Sequence, residues 1–338
     1  MKKSIEITPN SMMRIRGNKL IVKENNIETE SDLEDIKDVH CRGRKTIPAY
    51  ILYTFLHNEI PVYYYEGRGR FLGGSTPLPK QSHSACLVMK QTQHRQDPFK
   101  RLVLIREIER GIKHHNILWL LEKYYNIGFR IGNYIEIIDS IIFSDVEKPS
   151  QLKNREGRIW HNFYRAFDKI VPGWGFERRT RRPPEDPISA MMSYGNQILY
   201  GKIHSLISIT SLHQGIGYIH ESSDNKRSLA FDIADLFKTV IVYPIIIRLI
   251  HWNLIKKSHF EQKGEEVKLN EVGKRILRKE LQKKFNEKIK NPLTSKKYTL
   301  LKYIQQEHYK LINHLKGKKN ILVSELGGKG ELIFIASL

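Results

Sequence analysis

The chain has 338 residues, enough for two domains and a large core, and 40% apolar content with 4 Trp, 16 Tyr and 13 Phe excludes a disordered polyelectrolyte. Lys and Arg number 57 against 36 Asp and Glu, a formal charge of +21 that points to a polyanion, nucleic acid ahead of a membrane surface or a merely solvated lysine-rich exterior. The two cysteines, Cys41 and Cys86, are far apart, which excludes a disulfide scaffold and a cysteine-rich zinc site and suits a reducing cytosol.

Lys2, Lys3 and Glu6 charge the start of the chain, so no secretory leader is expected there. Strands are expected at Leu20–Lys23, Ile36–Val39 and Ile60–Tyr65, which are short, rich in β-branched or aromatic residues and flanked by Gly and Asn turns. Ala49–Leu56 between them reads as one short helix. Glycine and proline then crowd Glu66–Arg70 and Gly73–Pro79, which suggests a linker. Beyond it the period changes. Phe99–Glu109 and Ile117–Tyr125 carry apolar residues at helical spacing, and that spacing continues to about Leu315 with breaks near Pro172-Gly173, Pro183-Pro184 and Pro292. Thr239–His251 is the most apolar stretch, but Pro244, Arg248 and His251 interrupt it, and it reads as a buried helix rather than a membrane span. Lys268–Lys290 reads as a solvated lysine-rich helix laced with ion pairs. The fold class expected is α+β: a small N-terminal β-rich domain at 1–78, a linker at 79–96 and a larger all-α domain at 97–338. A soluble protein of the prokaryotic cytoplasm, without a membrane partner, is the corresponding expectation.

Three separated segments carry candidate chemistry. In the helix running from Asn154 to Tyr164, Ile159, Trp160, Phe163 and Phe167 form one buried stripe, with Glu156 near the N-terminal end; alone, Glu156 reads as a first-turn carboxylate favoured by the helix dipole. His220 ends the apolar segment Ile216–His220 before the polar run Glu221–Arg227, as a structural histidine or a metal ligand. Asp232 and Asp235 lie three apart on one face of a helix otherwise rich in apolar residues. Carboxylates in such surroundings need a positive partner, and Arg227, Lys238 or a metal ion could supply it. One Glu, one His and one Asp would make a hard oxygen-and-nitrogen site suited to Mg²⁺ or Mn²⁺. The stiff loop Trp174–Pro187 adds Arg178, Arg179, Arg181 and Arg182, side chains that grip phosphates by forked hydrogen bonds, and Arg165 lies just before it. Asp186-Pro187 opens the next helix.

In this order the segments resemble the CRISPR-associated integrase-nuclease family, the catalytic subunit of spacer acquisition. The matches are Glu156-Gly157 followed by Trp160, Phe163 and Tyr164; Arg181-Arg-Pro-Pro-Glu-Asp-Pro187 leading to Ser193-Tyr-Gly195; Gly217-Tyr-Ile-His220; and Leu229, Asp232 and Asp235. The resemblance is strongest from Arg155 to Pro244. It implies a Mg²⁺ or Mn²⁺ ion held by Glu156, His220 and Asp235 with Asp232 in support. It also implies an N-terminal dimerisation domain, a homodimer, a small partner subunit bridging two dimers, and double-stranded or branched DNA as substrate. The reaction implied is attack of a DNA 3′-hydroxyl on a repeat phosphodiester, and Arg165, Arg178, Arg179, Arg181 and Arg182 are the candidate DNA contacts. Departures are Ser189 where an Asn is usual, Lys238 near a position often occupied by Arg, and Asp235 where many members carry Glu. A branched-DNA repair endonuclease and a non-catalytic nucleic-acid scaffold are the alternatives.

Overall fold

The structure is a computed structural model and describes residues 2–25, 27–67, 69–77, 85–222, 227–290, 296–318, 325–327 and 331–333. The chain divides into two compact units, Met1–Ser84 with Tyr200–Ser211, and Ala85–Leu199 with Leu212–Leu338. The expected segments were 1–78, 79–96 and 97–338. Among the described residues no helix is long and apolar enough to cross a membrane.

The first unit contains β1 (Lys3–Ile7), β2 (Met12–Arg16), β3 (Lys19–Glu24), β4 (Ile27–Asp32), β5 (Ile36–Arg42), α1 (Ala49–His57), β6 (Val62–Tyr65) and β7 (Phe71–Ser75). The β2, β3 and β4 strands form an antiparallel meander, and the other four form a mixed sheet in the order β1-β5-β6-β7. The glycine-rich run expected to be a turn therefore supplies β7, whose Phe71 is buried against Tyr63 and Tyr65. Val39 and Cys41 on one face of β5 join Ile7, Ile51 and Phe55 in the apolar core.

The opposite face of β5 is polar, because side chains alternate along a strand. Asp38 and His40 bond to each other at 3.0 Å, His40 Nδ1 lies 2.9 Å from the Tyr65 hydroxyl, and Arg42 donates to Glu6. The buried Lys202, 3.7 Å from Glu6, is part of the same unit. Gly201 beside it has to be glycine, since a Cβ would stand 2.8 Å from the Tyr65 ring. Burial alone would push the Glu6 carboxyl up, but Arg42 and Lys202 bring it down to about 2. Burial and Lys202 push His40 down to about 4, against the pull of Asp38. Both groups titrate lower in the folded unit than in an open chain, so their stabilisation is present at neutral pH and lost on acidification. The window runs from the ordinary 6.5 of histidine to about 4 for His40, then from 4.5 to about 2 for Glu6. Hydrogen exchange of the β5 amides is expected to accelerate as pH-corrected protection falls through these windows, and Glu6→Gln to flatten the lower one. Protection independent of pH across both would contradict this account.

The second unit contains α2 (Ala85–Gln96), α3 (Pro98–Arg110), a π-helical segment at Gly111–Leu118, α4 (Trp119–Tyr125), α5 (Gly132–Asp139), α6 (Pro149–Ile170), most of α7 (Pro187–Ile207), α8 (Ser228–Phe237), a second π-helical segment at Lys238–Val242, and α9 (Tyr243–His251). After these come β8 (Phe260–Lys263), β9 (Glu266–Leu269), α10 (Glu271–Asn286), β10 (Lys288–Lys290), β11 (Lys297–Thr299), α11 (Leu300–Leu315), β12 (Glu325–Gly327) and β13 (Glu331–Ile333). The expected linker at 79–96 is corrected in part: 78–84 lie outside the described residues, while Ala85–Gln96 is helical. Leu87 and Gln91, one turn apart, are buried there, and the Gln91 amide donates to the His213 and Ile216 carbonyls at 2.9 Å. The larger unit is predominantly helical but not all-α, because short antiparallel pairs interrupt it. The lysine-rich helix is shorter than 268–290, because Asn270 caps it at Gly273 and strands flank it. Pro292 lies outside the described residues, as do 223–226 of the polar run after His220.

At the centre of this unit, α6 and α9 share an aromatic core. Phe163 stacks on Tyr243 with ring centroids 5.6 Å apart, and Phe167 meets Phe176 at 5.9 Å. The buried stripe expected from periodicity, Ile159, Trp160, Phe163 and Phe167, is in place. The apolar stretch Thr239–His251 is buried as expected, apart from a few half-buried or exposed positions.

Candidate active site

Pro149 at the first position starts α6 earlier than Asn154, so Glu156 sits two turns into the helix rather than in its first turn. The first-turn dipole explanation is thereby removed for Glu156. Its carboxyl instead lines an open cleft of about 400 Å³ together with Trp160, Arg165, Arg178, Arg179 and Arg181. The arginine loop is braced from below. Asp186 caps α7 through the Ser189 amide at 2.8 Å, and the Thr180 hydroxyl accepts from the Glu185 amide at 2.9 Å. Arg179 donates to Ser193, while Arg165, Arg178, Arg181 and Arg182 are exposed. Arg182 does not line the cleft; the other four candidate arginines do.

His220 is placed by Asp232. The segment Gly217–His220 closes over the buried Asp232 carboxylate, which accepts the amides of Tyr218, Ile219 at 3.2 Å and His220 at 2.9 Å. It also bonds His220 Nδ1 at 2.8 Å. Glycine at 217 makes the approach feasible: a Cβ there would stand 2.7 Å from the Ser228 side chain and 2.9 Å from Asp232 Oδ2. With Nδ1 held by a carboxylate, Nε2 is the nitrogen left for another partner, the arrangement that orients metal-binding imidazoles. Burial disfavours the imidazolium, but the Asp232 hydrogen bond and the Asp235 and Asp232 charges outweigh it, raising His220 above the ordinary histidine value.

Asp235 is buried one turn further along α8, and its positive partner is Lys238, in an ion pair three residues apart. The Lys238 ammonium also lies 5.8 Å from the Trp160 ring centre. Of the compensating charges considered for the two aspartates, Lys238 is the one on Asp235, while Asp232 is satisfied by backbone amides and His220. Glu156 belongs to the same electrostatic neighbourhood. Burial and the Asp235 charge raise its carboxyl, and His220, Lys238 and a Trp160 hydrogen bond oppose them. Two further groups escaped the sequence reading. Glu221 pairs with Arg95, Arg101 and Lys153 beside His220. Glu109 of α3 is 1% exposed and is raised well above the carboxylate range by burial, then by Glu156, Asp235 and Asp232. Its position four residues after Ile105, on the buried stripe of α3, was the available signal.

Two carboxylates and an imidazole oriented through its far nitrogen suit a hard divalent cation in donor type. Among the described residues, no three His, Cys, Asp or Glu side chains are already gathered at coordination spacing. The Lys238 ammonium holds Asp235 where a cation would compete for it.

A mixed-sheet unit and a predominantly helical unit, with Glu156 and the paired Asp on its helices and His220 in the segment before α8, define a fold class with solved members. A Cas1 protein from Thermotoga maritima matches with a TM-score of 0.74 and 24% identity, covering 94% of this chain and 99% of that one. A casposase bound to its integration product matches with a TM-score of 0.74 and 23% identity over 95% of this chain and 92% of that one. At sequence level, the CRISPR-associated endonuclease Cas1 of Methanocaldococcus jannaschii is 30% identical over 309 residues, 89% of this chain and 93% of the relative. CRISPR-associated endonuclease Cas1 2 of Thermodesulfovibrio yellowstonii is 28% identical over 319 residues, 93% of this chain and 96% of the relative. The family model for CRISPR-associated protein Cas1 matches residues 6–283. The chain belongs to the Cas1 family, in agreement with the motif resemblance.

Proposed function

We propose that this chain is a divalent-metal-dependent DNA endonuclease and integrase that joins the 3′-hydroxyl ends of spacer DNA to a CRISPR repeat by transesterification. The observation that carries the reading is the shared cleft: Glu156, in electrostatic contact with His220 and Asp235, opens onto the same space as Arg165, Arg178, Arg179 and Arg181. In the proposed reaction the 3′-oxygen of one strand bonds to phosphorus, the P–O3′ bond of the repeat breaks, and a new 3′-hydroxyl leaves. One phosphodiester replaces another, so no nucleotide cofactor is consumed. The arginines bind the phosphates on either side and hold the strand in line. Asp232 keeps the His220 ring in one orientation, and Trp160 and Tyr164 wall the cleft. Glu156, His220 and Asp235 would hold Mg²⁺ or Mn²⁺, which when bound supplies Lewis acidity at the phosphate and activates the attacking hydroxyl. A chain of similar fold, 22% identical and covered to 36% of its length, is solved in a Cas6-RT-Cas1–Cas2 complex. We extend from it a small partner subunit bridging two homodimers of this chain.

The test is a half-site integration assay with a repeat duplex and a 3′-hydroxyl donor, run with and without the partner subunit. Metal-dependent joining that needs the partner supports integration. Cutting of branched DNA without joining under either condition selects the repair endonuclease, and metal-independent binding without turnover selects the scaffold.

The arginine loop gives a separate expectation. Arg178→Ala combined with Arg181→Ala should weaken DNA binding uniformly across sequences and lower the slope of log affinity against log salt by about 2, roughly one unit per lost phosphate contact. A salt titration by fluorescence anisotropy reads the slope, and an unchanged slope would remove both arginines from the DNA path.

A further inference from the structure

Glu109 is an acid in a place built for an apolar side chain. It lies on the inward stripe of α3 with Ile105 and Ile108, which Ile112 continues in the π-helical segment, all buried. Neither of its carboxyl oxygens has a hydrogen-bond partner among the described residues. With Glu156, Arg101 and Lys153 it lines a narrow, partly open pocket of about 10 Å³, room for about one water molecule. A buried carboxyl left unpaired destabilises a fold. Its carboxyl belongs electrostatically to Glu156, Asp235 and Asp232, whose charges all act on it. Glu156 lines two spaces, the open cleft and the narrow pocket that it shares with Glu109. Lys238 and His220 are the positive or protonatable groups that act on Glu156. Arg101 and Lys153 line the pocket with Glu109 and Glu156, yet neither is hydrogen-bonded to the Glu109 carboxyl.

We propose that Glu109 is a fourth carboxylate of the cation site, a positioning acid behind Glu156 that strengthens divalent-cation binding and directs Glu156 toward the cleft. The inference rests on the reading of Glu156, His220 and Asp235 as cation ligands. A leucine at 109 would make a more stable chain without metal and a weaker binder of it, and that trade is the signature of a functional acid.

The experiment titrates Mn²⁺ into the full chain, followed by electron paramagnetic resonance of the free ion, for wild type, His220→Ala, Glu109→Gln and Glu109→Leu. Melting of each in chelator is recorded alongside. The expected result is loss of Mn²⁺ binding in His220→Ala, and affinity weakened about 10- to 100-fold in Glu109→Gln. Melting in chelator should be unchanged for Glu109→Gln and higher for Glu109→Leu. If His220→Ala loses Mn²⁺ while Glu109→Gln binds it like wild type, the role of Glu109 is overturned and the ligand reading stands. If His220→Ala binds like wild type, the ligand reading falls and takes the inference with it. Should Glu109→Leu not fold, the isosteric Glu109→Gln carries the test, and a lower melting point with unaltered Mn²⁺ affinity would mark a purely structural residue.

Discussion

Glu156→Gln is expected to reduce strand joining by a factor on the order of 10³ or more while leaving DNA affinity within about twofold. The substitution keeps the volume of the side chain and its place in the cleft, so the arginines proposed to grip phosphate are undisturbed. It removes the negative charge that interacts with Asp235, His220 and Lys238. An amide oxygen is a poorer ligand for a hard cation than a carboxylate, and the loss should appear in the rate of joining rather than in binding. Parallel measurement of joining rate and DNA dissociation constant separates the two. Equal loss in both would make Glu156 a DNA-binding residue instead.

Asp232→Ala is expected to unfold the region around the site. The wild-type carboxylate accepts the amides of Tyr218, Ile219 and His220 and the His220 ring, and the side chain is fully buried. Without it the buried Tyr218 and Ile219 amides lose their acceptor and the His220 ring loses its anchor. Breaking a buried charged network of this kind costs about 3–5 kcal/mol. All 4 tryptophans, at 119, 160, 174 and 252, belong to the helical unit, so tryptophan fluorescence during urea unfolding reads that unit alone. Asp232→Asn keeps one acceptor oxygen and should lose less. A drop below about 1 kcal/mol for the alanine variant would mean that the loop is held by something other than Asp232.

The aromatic stripe of α6 was legible in the sequence because its residues repeat at the helical period over several turns, and burial follows period. The Gly217-x-x-His220 segment was legible as a motif, but its reason was not. The glycine is needed because Ser228 and Asp232, distant in sequence, leave no room for a Cβ. Lys202 shows the same limit from the other side. It lies on a helix that periodicity assigned to the large domain, yet its last turns belong to the β-rich unit through Glu6 and the polar face of β5. The β8–β9 pair was missed because its strands are short and lysine- and glutamate-rich, although Gly264 at positive φ marks the turn and Val267 and Leu269 alternate inward. Glu109 was hidden by its chemistry: an acid at the end of an amphipathic helix is assumed to be solvated, and its spacing from Ile105 was the overlooked sign. The elements of the candidate site were legible because the chain keeps them as short contiguous motifs.

The account turns on a divalent ion held jointly by Glu156, His220 and Asp235, and paramagnetic resonance of Mn²⁺ mixed with the purified chain reads this directly. A single saturable ion in wild type, lost in each of Glu156→Gln, His220→Ala and Asp235→Asn with the fold intact by circular dichroism, is the predicted result. Undiminished Mn²⁺ uptake in any one of the three folded variants would contradict it.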